Sequence, residues 1–326
     1  MKKIKQEPKK IVKHFIVVGI FVILAGCSPE VQNILILPRE NKIPENSIKI
    51  IPEKDFYPPL LHSDEWAQPI PVPGKINSAG AEDSPFVTPD GKTIYFTFVP
   101  DVNVPPDNQL IDGVTGLYVS SLEDNEWTNP ERILLNDDLS LDGCETIQGN
   151  VMWFCSVRSG NYREVDLYTA EFVNGEWINW QNAGETINQN LAVGEMHITP
   201  NGGEIYFDGI REGGKGGHDI WVTRKVNNEW QIPENIESVN TADNEIRPFL
   251  SQDGNELWFS RWYLGSPAIF RSNKVNGLWQ EAELIISQFA AEPSLDQEGN
   301  IIFAHHYFEE GTMIEADIYV ARKNHD

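Results

Sequence analysis

The chain has 326 residues, 40% of them hydrophobic, and a formal net charge of −24. That is enough apolar material to bury a core in one large domain or two ordinary ones. So acidic a surface repels nucleic acid and anionic lipid headgroups, which removes both as binding partners of the body.

In chain order, the first feature is a basic stretch, "MKKIKQEPKKIVKH", followed by an apolar run over residues 15–26. The run is too short to span a membrane comfortably and fits the middle of a secretory signal. It closes on "LAGC", with Cys27 last. The three zones together resemble a bacterial lipoprotein signal. The resemblance implies cleavage after residue 26, a lipid on Cys27, and a body anchored to a membrane on the extracytoplasmic side of the cell envelope. An uncleaved anchor helix is the alternative and puts the body on the same side. Ser28 is not the Asp that would mark inner-membrane retention in a two-membrane bacterium. Residues 1–26 are therefore expected as signal. Residues 27–55, rich in proline and charge, are expected as the lipidated cysteine and a tether.

From residue 56 to 326 the chain repeats itself, and no stretch carries the period of a long amphipathic helix. Trp66, Trp127, Trp177, Trp230 and Trp279 recur about every 50 residues, in contexts such as "NEWTNP" and "NEWQIP". Ahead of them lie two families of strand-like runs. "TIYFTF", "VMWFCS", "EIYFDG", "ELWFSR" and "NIIFAH" form one; "GLYVSS", "DLYTAE", "DIWVTR", "AIFRSN" and "DIYVAR" form the other. Each first run follows a segment that usually ends in a turn: "SPFVTPDG", "CETIQG", "EMHITPNG", "RPFLSQDG", "EPSLDQEG". The Asp-Gly and Asn-Gly steps tolerate positive φ and favour tight hairpins. Three strands plus the Trp segment give four per unit, the arithmetic of a propeller blade. The last unit lacks a Trp segment, whereas the chain starts with an unattached one around Trp66. The expected architecture is therefore all-β: a five-bladed β-propeller closed by the N-terminal strand. An open stack of sheets is the alternative.

Cys144 and Cys155 flank "ETIQGNVMWF". A two-residue turn at Gly149 and Asn150 sets them opposite one another at a hydrogen-bonded pair. A disulfide and two buried thiols both remain open. Unit one carries extra chain between its second and third strands, "PDVNVPPDNQLIDGV", expected as a loop over a channel mouth or a partner surface.

The repeat "YFDGIREGGKGGHDIWVTRKVNNEW" followed by "PENIESVN", with "SPFVTPDGKTIYF" and "RPFLSQDGNELWF", is similar to the TolB-type (WD40-like) propeller repeat of bacterial envelope proteins. The resemblance covers all five units and implies the fold. It does not fix an activity, since such repeats serve scaffolds, receptors and some enzymes.

In a propeller the first strands line a central channel, and acidic residues gather near their starts. Glu82, Asp83, Glu145, Glu195, Glu245 and Glu292 are the candidates, with Arg247 among them. Arg158, Arg211 and Arg261 follow the second runs and suit pairing with those carboxylates or recognition of an anionic glycan. Solvated mouth, ligand site and catalysis compete. For catalysis, Asp83, Glu145 and Glu195 lie on three successive units, as a carbohydrate hydrolase or lyase would need. His305 and His306 are adjacent, so at most one faces the channel. Glu195, His197 and His305 make a candidate metal trio, with a divalent cation in the channel as the candidate cofactor. Asp166, Asp219 and Asp317 repeat ahead of the third strands and suit turn bonding. The expected role is binding of an envelope component, a glycan or a protein partner at one face. Carbohydrate hydrolysis or lysis is the first alternative and a structural scaffold the second.

Overall fold

The computed structural model describes residues 37–135 and 140–324. The signal and Cys27 lie outside the described residues, and so do residues 28–36 of the expected tether.

The described part is built almost wholly of short antiparallel strands in five consecutive units. The first strands are Ala81–Val87, Leu141–Gln148, Met196–Ile198, Glu245–Leu250 and Ala290–Leu295. The second are Thr93–Val99, Val151–Val157, Glu204–Gly209, Glu256–Tyr263 and Ile301–Glu309. The third are Gly116–Glu123, Asp166–Val173, Asp219–Val226, Ser266–Val275 and Thr312–Ala321. Within each unit the order is first–second–third by antiparallel pairing. An outer strand follows in units one to four: Glu131–Arg132, Glu176–Asn182, Glu234–Asn235 and Glu283–Ser287. Each first strand packs on the next: unit one on two, two on three, three on four, four on five, and five back on one.

Unit five takes its outer strand from the start of the chain. Ile70–Pro71 pairs with Val320 and Tyr319, and Trp66 bridges to Lys323. A parallel contact between Ala316 and Ala81 joins units five and one into one continuous sheet. The Trp segments fill the space between neighbouring units, as aromatic rings with large buried area do well. Trp177 of unit two meets Tyr95 of unit one edge-on at 6.1 Å. Trp279 of unit four meets Tyr206 of unit three at 6.0 Å, and Trp66 meets Trp258 of unit four at 5.6 Å.

The repeated Asp and Asn residues are structural. Asp166 accepts from the backbone N–H of Tyr162 at 2.8 Å, and Asp219 from that of Lys215 at 2.6 Å. Asn77, Asn188 and Asn240 each form a two-way amide pair with the backbone of the residue after such an Asp: Ile318, Leu167 and Ile220.

Two expectations need correction. Residues 37–55 do not act as a free tether; they are laid over units one and five. Arg39 is buried and donates to Glu82 at 2.8 Å and to the carbonyls of Lys75 and Ile76. Lys49 pairs with Glu315 and Asp317. The proline and charge that suggested a linker are here solvent-side spacing between the anchors at Arg39 and Lys49. Leu60–Leu61 also pairs with the outer strand of unit four, which nothing in the repeat count required.

The second correction concerns register. The turn at Gly149 and Asn150 forms, yet Cys155 pairs opposite Gly143 rather than Cys144. A bulge between Gly143 and Thr146 inserts the extra residue, and Cys144 has φ 47°. The two cysteines are nonetheless joined by a disulfide, with Cα atoms 5.5 Å apart. Closing so short a loop is worth about 2–3 kcal/mol. Reduction should therefore lower the melting temperature of the wild type and leave a Cys144→Ser, Cys155→Ser variant unmoved, as read by circular dichroism with and without a phosphine reductant.

Candidate functional site

The bulge at Cys144 is one of a set. Matching bulges lie between Asp83 and Phe86, between Ile246 and Phe249, and between Ala291 and Ser294. Ser84, Cys144, Arg247 and Glu292 all take positive φ there, between 47° and 61°. Glu195 holds the corresponding place in unit three. A bulge bends its strand and re-aims a side chain, and such features gather near functional sites. All five of these residues line one narrow axial pocket of about 60 Å³. Below them Phe86, His197 and Phe249 close together, with His197 and Phe249 ring centres 4.5 Å apart. Beside the axial pocket a cavity of about 830 Å³ opens, reaching Asp83, Glu195, Asp208, Arg247 and the exposed Trp262.

Arg247 is the centre of charge. Its Nε lies 2.5 Å from Glu195 Oε2 and its Nη1 2.9 Å from Glu292 Oε2. It also donates to Ser84 Oγ, and its backbone N–H donates to Asp208 at 3.0 Å. Burial would discharge a guanidinium, but Glu195, Glu292, Asp83 and Asp208 together raise its pKa above the ordinary value. The carboxylates respond in opposite directions. Burial, with neighbouring Asp208, Glu292 and Asp83, pushes Glu195 up to about 8 against the pull of Arg247. Burial lifts Glu145 to about 8 and Glu292 to about 7. Burial also opposes ionisation of Asp83, yet His306 and Arg247 outweigh it and hold that carboxyl below its usual range.

Thus Asp83, Glu195, Glu292 and Arg247 come together as the strand starts suggested. Glu145 also reaches the axial pocket, where neither carboxyl oxygen has a hydrogen-bond partner among the described residues. Glu82 and Glu245 do not join them. Both are fully buried two residues upstream of the bulge, with Glu82 held by Arg39 and Ser78, and Glu245 by Arg261 and Thr241. The other two second-run arginines are likewise structural. Arg158 pairs with Asp142 at 2.6 Å and stacks 4.4 Å over the ring of Tyr168. Arg211 donates to the carbonyl of Leu191.

The metal trio of Glu195, His197 and His305 is not assembled. His305 points away to Asp55, 2.8 Å distant, and His197 is wedged between the two phenylalanines. Burial there lowers His197 to about 4. His306 is the histidine that turns to the site, 3.0 Å from Asp83 Oδ1. Alternation told the two apart only up to parity, and each bulge shifts the parity by one. Asp208, paired with His218 at 3.0 Å, and Trp262 were missed as well. Asp208 belongs to a second strand, where no repeated acidic position marks it, and Trp262 to a position held by Val99, Val157, Ile210 and His306 in the other repeats. In unit one the extra chain holds a single helical turn, Pro106–Gln109, whose Gln109 reaches the edge of the cavity.

No protein-family model matches the chain, and no curated protein matches its sequence. Solved structures similar to it include TolB from Acinetobacter baumannii: 15% identity over 76% of this chain and 55% of that one, TM-score 0.43. A GH62 hydrolase in complex with xylotriose is 9% identical over 81% of this chain and 98% of that one, TM-score 0.44. Xylan β-1,4-xylosidase from Bacillus halodurans is 12% identical over 76% and 53%, TM-score 0.45. The chain spans about half the length of the TolB and xylosidase chains.

Proposed function

We infer that the chain is a five-bladed β-propeller lipoprotein, held in the cell envelope by a lipid on Cys27, whose axial face binds a neutral glycan. The cyclic packing of the five first strands and the outer strand lent by residues 70–71 support the propeller. The signal-like start and "LAGC" support the anchor and an extracytoplasmic site.

The observation that carries the glycan assignment is the cavity of about 830 Å³. It falls within the usual range of small-molecule sites, about 300–1,000 Å³. Its floor offers carboxylates and a guanidinium for hydroxyl groups, and Trp262 and Val99 give it apolar wall for sugar-ring faces. A net excess of carboxylate disfavours anionic sugars.

Titration calorimetry of the full chain in detergent against neutral oligosaccharides should give saturable binding. Trp262→Ala should weaken that binding about tenfold, roughly 1.4 kcal/mol, with an unchanged melting temperature. A panel with no binder, or binding indifferent to Trp262, would turn the assignment towards a protein partner or a scaffold.

Catalysis is a second reading, favoured by one observation. Asp83 stays ionised while Glu195 on the same floor is raised to about 8. Environments that push two carboxyls apart suit a base and an acid. Release of new reducing ends from a bound oligosaccharide separates the two readings.

A further inference from the structure

We propose that Asp83, Glu292 and His306 form a binding site for one divalent first-row metal ion, of the Zn²⁺ or Mn²⁺ class. One donor atom from each lies within 4.8 Å of the others. Asp83 and Glu292 come from the bulged starts of the first strands of units one and five, and His306 from the second strand of unit five. The site therefore sits where the chain's first and last repeats meet, and it is distinct from the glutamate–histidine trio that the sequence suggested. One imidazole and two carboxylates form a donor set that suits borderline first-row ions better than Ca²⁺ or Mg²⁺, which prefer oxygen alone.

Two further observations point to a cation. Glu292 is only 9% exposed, and its Oε2 receives no hydrogen bond of good geometry, only the ion-pair contact from Arg247. Glu145, 6% exposed, lines the same axial pocket as Glu292 with both carboxyl oxygens unpartnered. Buried polar atoms are nearly always satisfied, so Glu145 beside Glu292 in one pocket calls for a ligand. The charge balance agrees. Arg247 is one permanent positive charge among Asp83, Glu145, Glu195 and Glu292. Neighbouring carboxylates need a proton or a cation between them.

The test is equilibrium dialysis of the full chain in detergent against Zn²⁺, and separately Mn²⁺, with metal content read by mass spectrometry and no sugar present. We expect one equivalent per chain. Affinity should be at least tenfold weaker in Glu292→Gln and in His306→Gln, and unchanged in His62→Gln, which removes a histidine bonded to Ser287 outside the site. Glu292→Gln preserves shape, and its unliganded melting curve reports whether it folds. The proposal fails if the wild type takes up neither metal, or if both variants keep the wild-type affinity. Because metal content is the readout, failure of glycan binding leaves the outcome independent.

Discussion

Arg247→Ala is expected to cost about 3 kcal/mol of stability at pH 8, and much less near pH 4.5. Removing one partner of an enclosed ion-pair group leaves uncompensated carboxylates, a loss typically of about 3–5 kcal/mol. The quarter exposure of Arg247 places it at the low end. The pH dependence follows from the direction of the carboxylate shifts. Glu145, Glu195 and Glu292 hold their protons to about 8, 8 and 7 in the folded state, against an ordinary value of 4.5. Groups with raised folded values contribute stability that is complete below about 4.5 and is lost as pH rises through 7 to 8. Arg247 lowers all three, so without it their values climb further and the decline steepens. Urea denaturation of wild type and variant at pH 4.5, 6 and 8 checks this. A gap that stays constant with pH would show that Arg247 is not what compensates these carboxylates.

Trp66→Ala is the second large effect, expected at about 3–5 kcal/mol, the range for a buried aromatic truncated in a core. Trp66 is 3% exposed, meets Trp258 edge-on, and donates from Nε1 to the carbonyl of Gly299 at 2.8 Å. Lys323 Nζ sits 3.9 Å over its ring. The loss falls on the seam between units four and five, so amide exchange should quicken first in Thr312–Ala321 and in residues 66–71. A variant that unfolds evenly, with no early exchange at that seam, would count against Trp66 as the closing residue.

Much of this was legible in the sequence because repetition needs no register. The five recurring tryptophans, the Asp-Gly and Asn-Gly turns and the unattached Trp66 segment are all counts. Counting survives small errors of phase. The site was harder, because its geometry depends on phase. Each bulge inserts one residue where the first strand starts, and so exchanges inward for outward. That is why Cys144 missed its expected partner, why Glu82 and Glu245 turned out to be structural, and why His306 rather than His305 faces Asp83. Arg39 and Lys49 were hidden for a different reason. Their partners are remote in sequence, and a basic residue in a proline-rich stretch looks the same whether it is solvated or pinned.

The pairing of Trp66 with Lys323 has a consequence for how the molecule is made. The segment synthesised early in the folded region has no finished sheet to join until the final strand emerges, so it must wait through production of every repeat between them. Contacts of such long separation are slow to form, and until they do an unpaired sheet edge stays open to other chains. A chain interrupted shortly before Lys323 would therefore hold every repeat yet lack its seal.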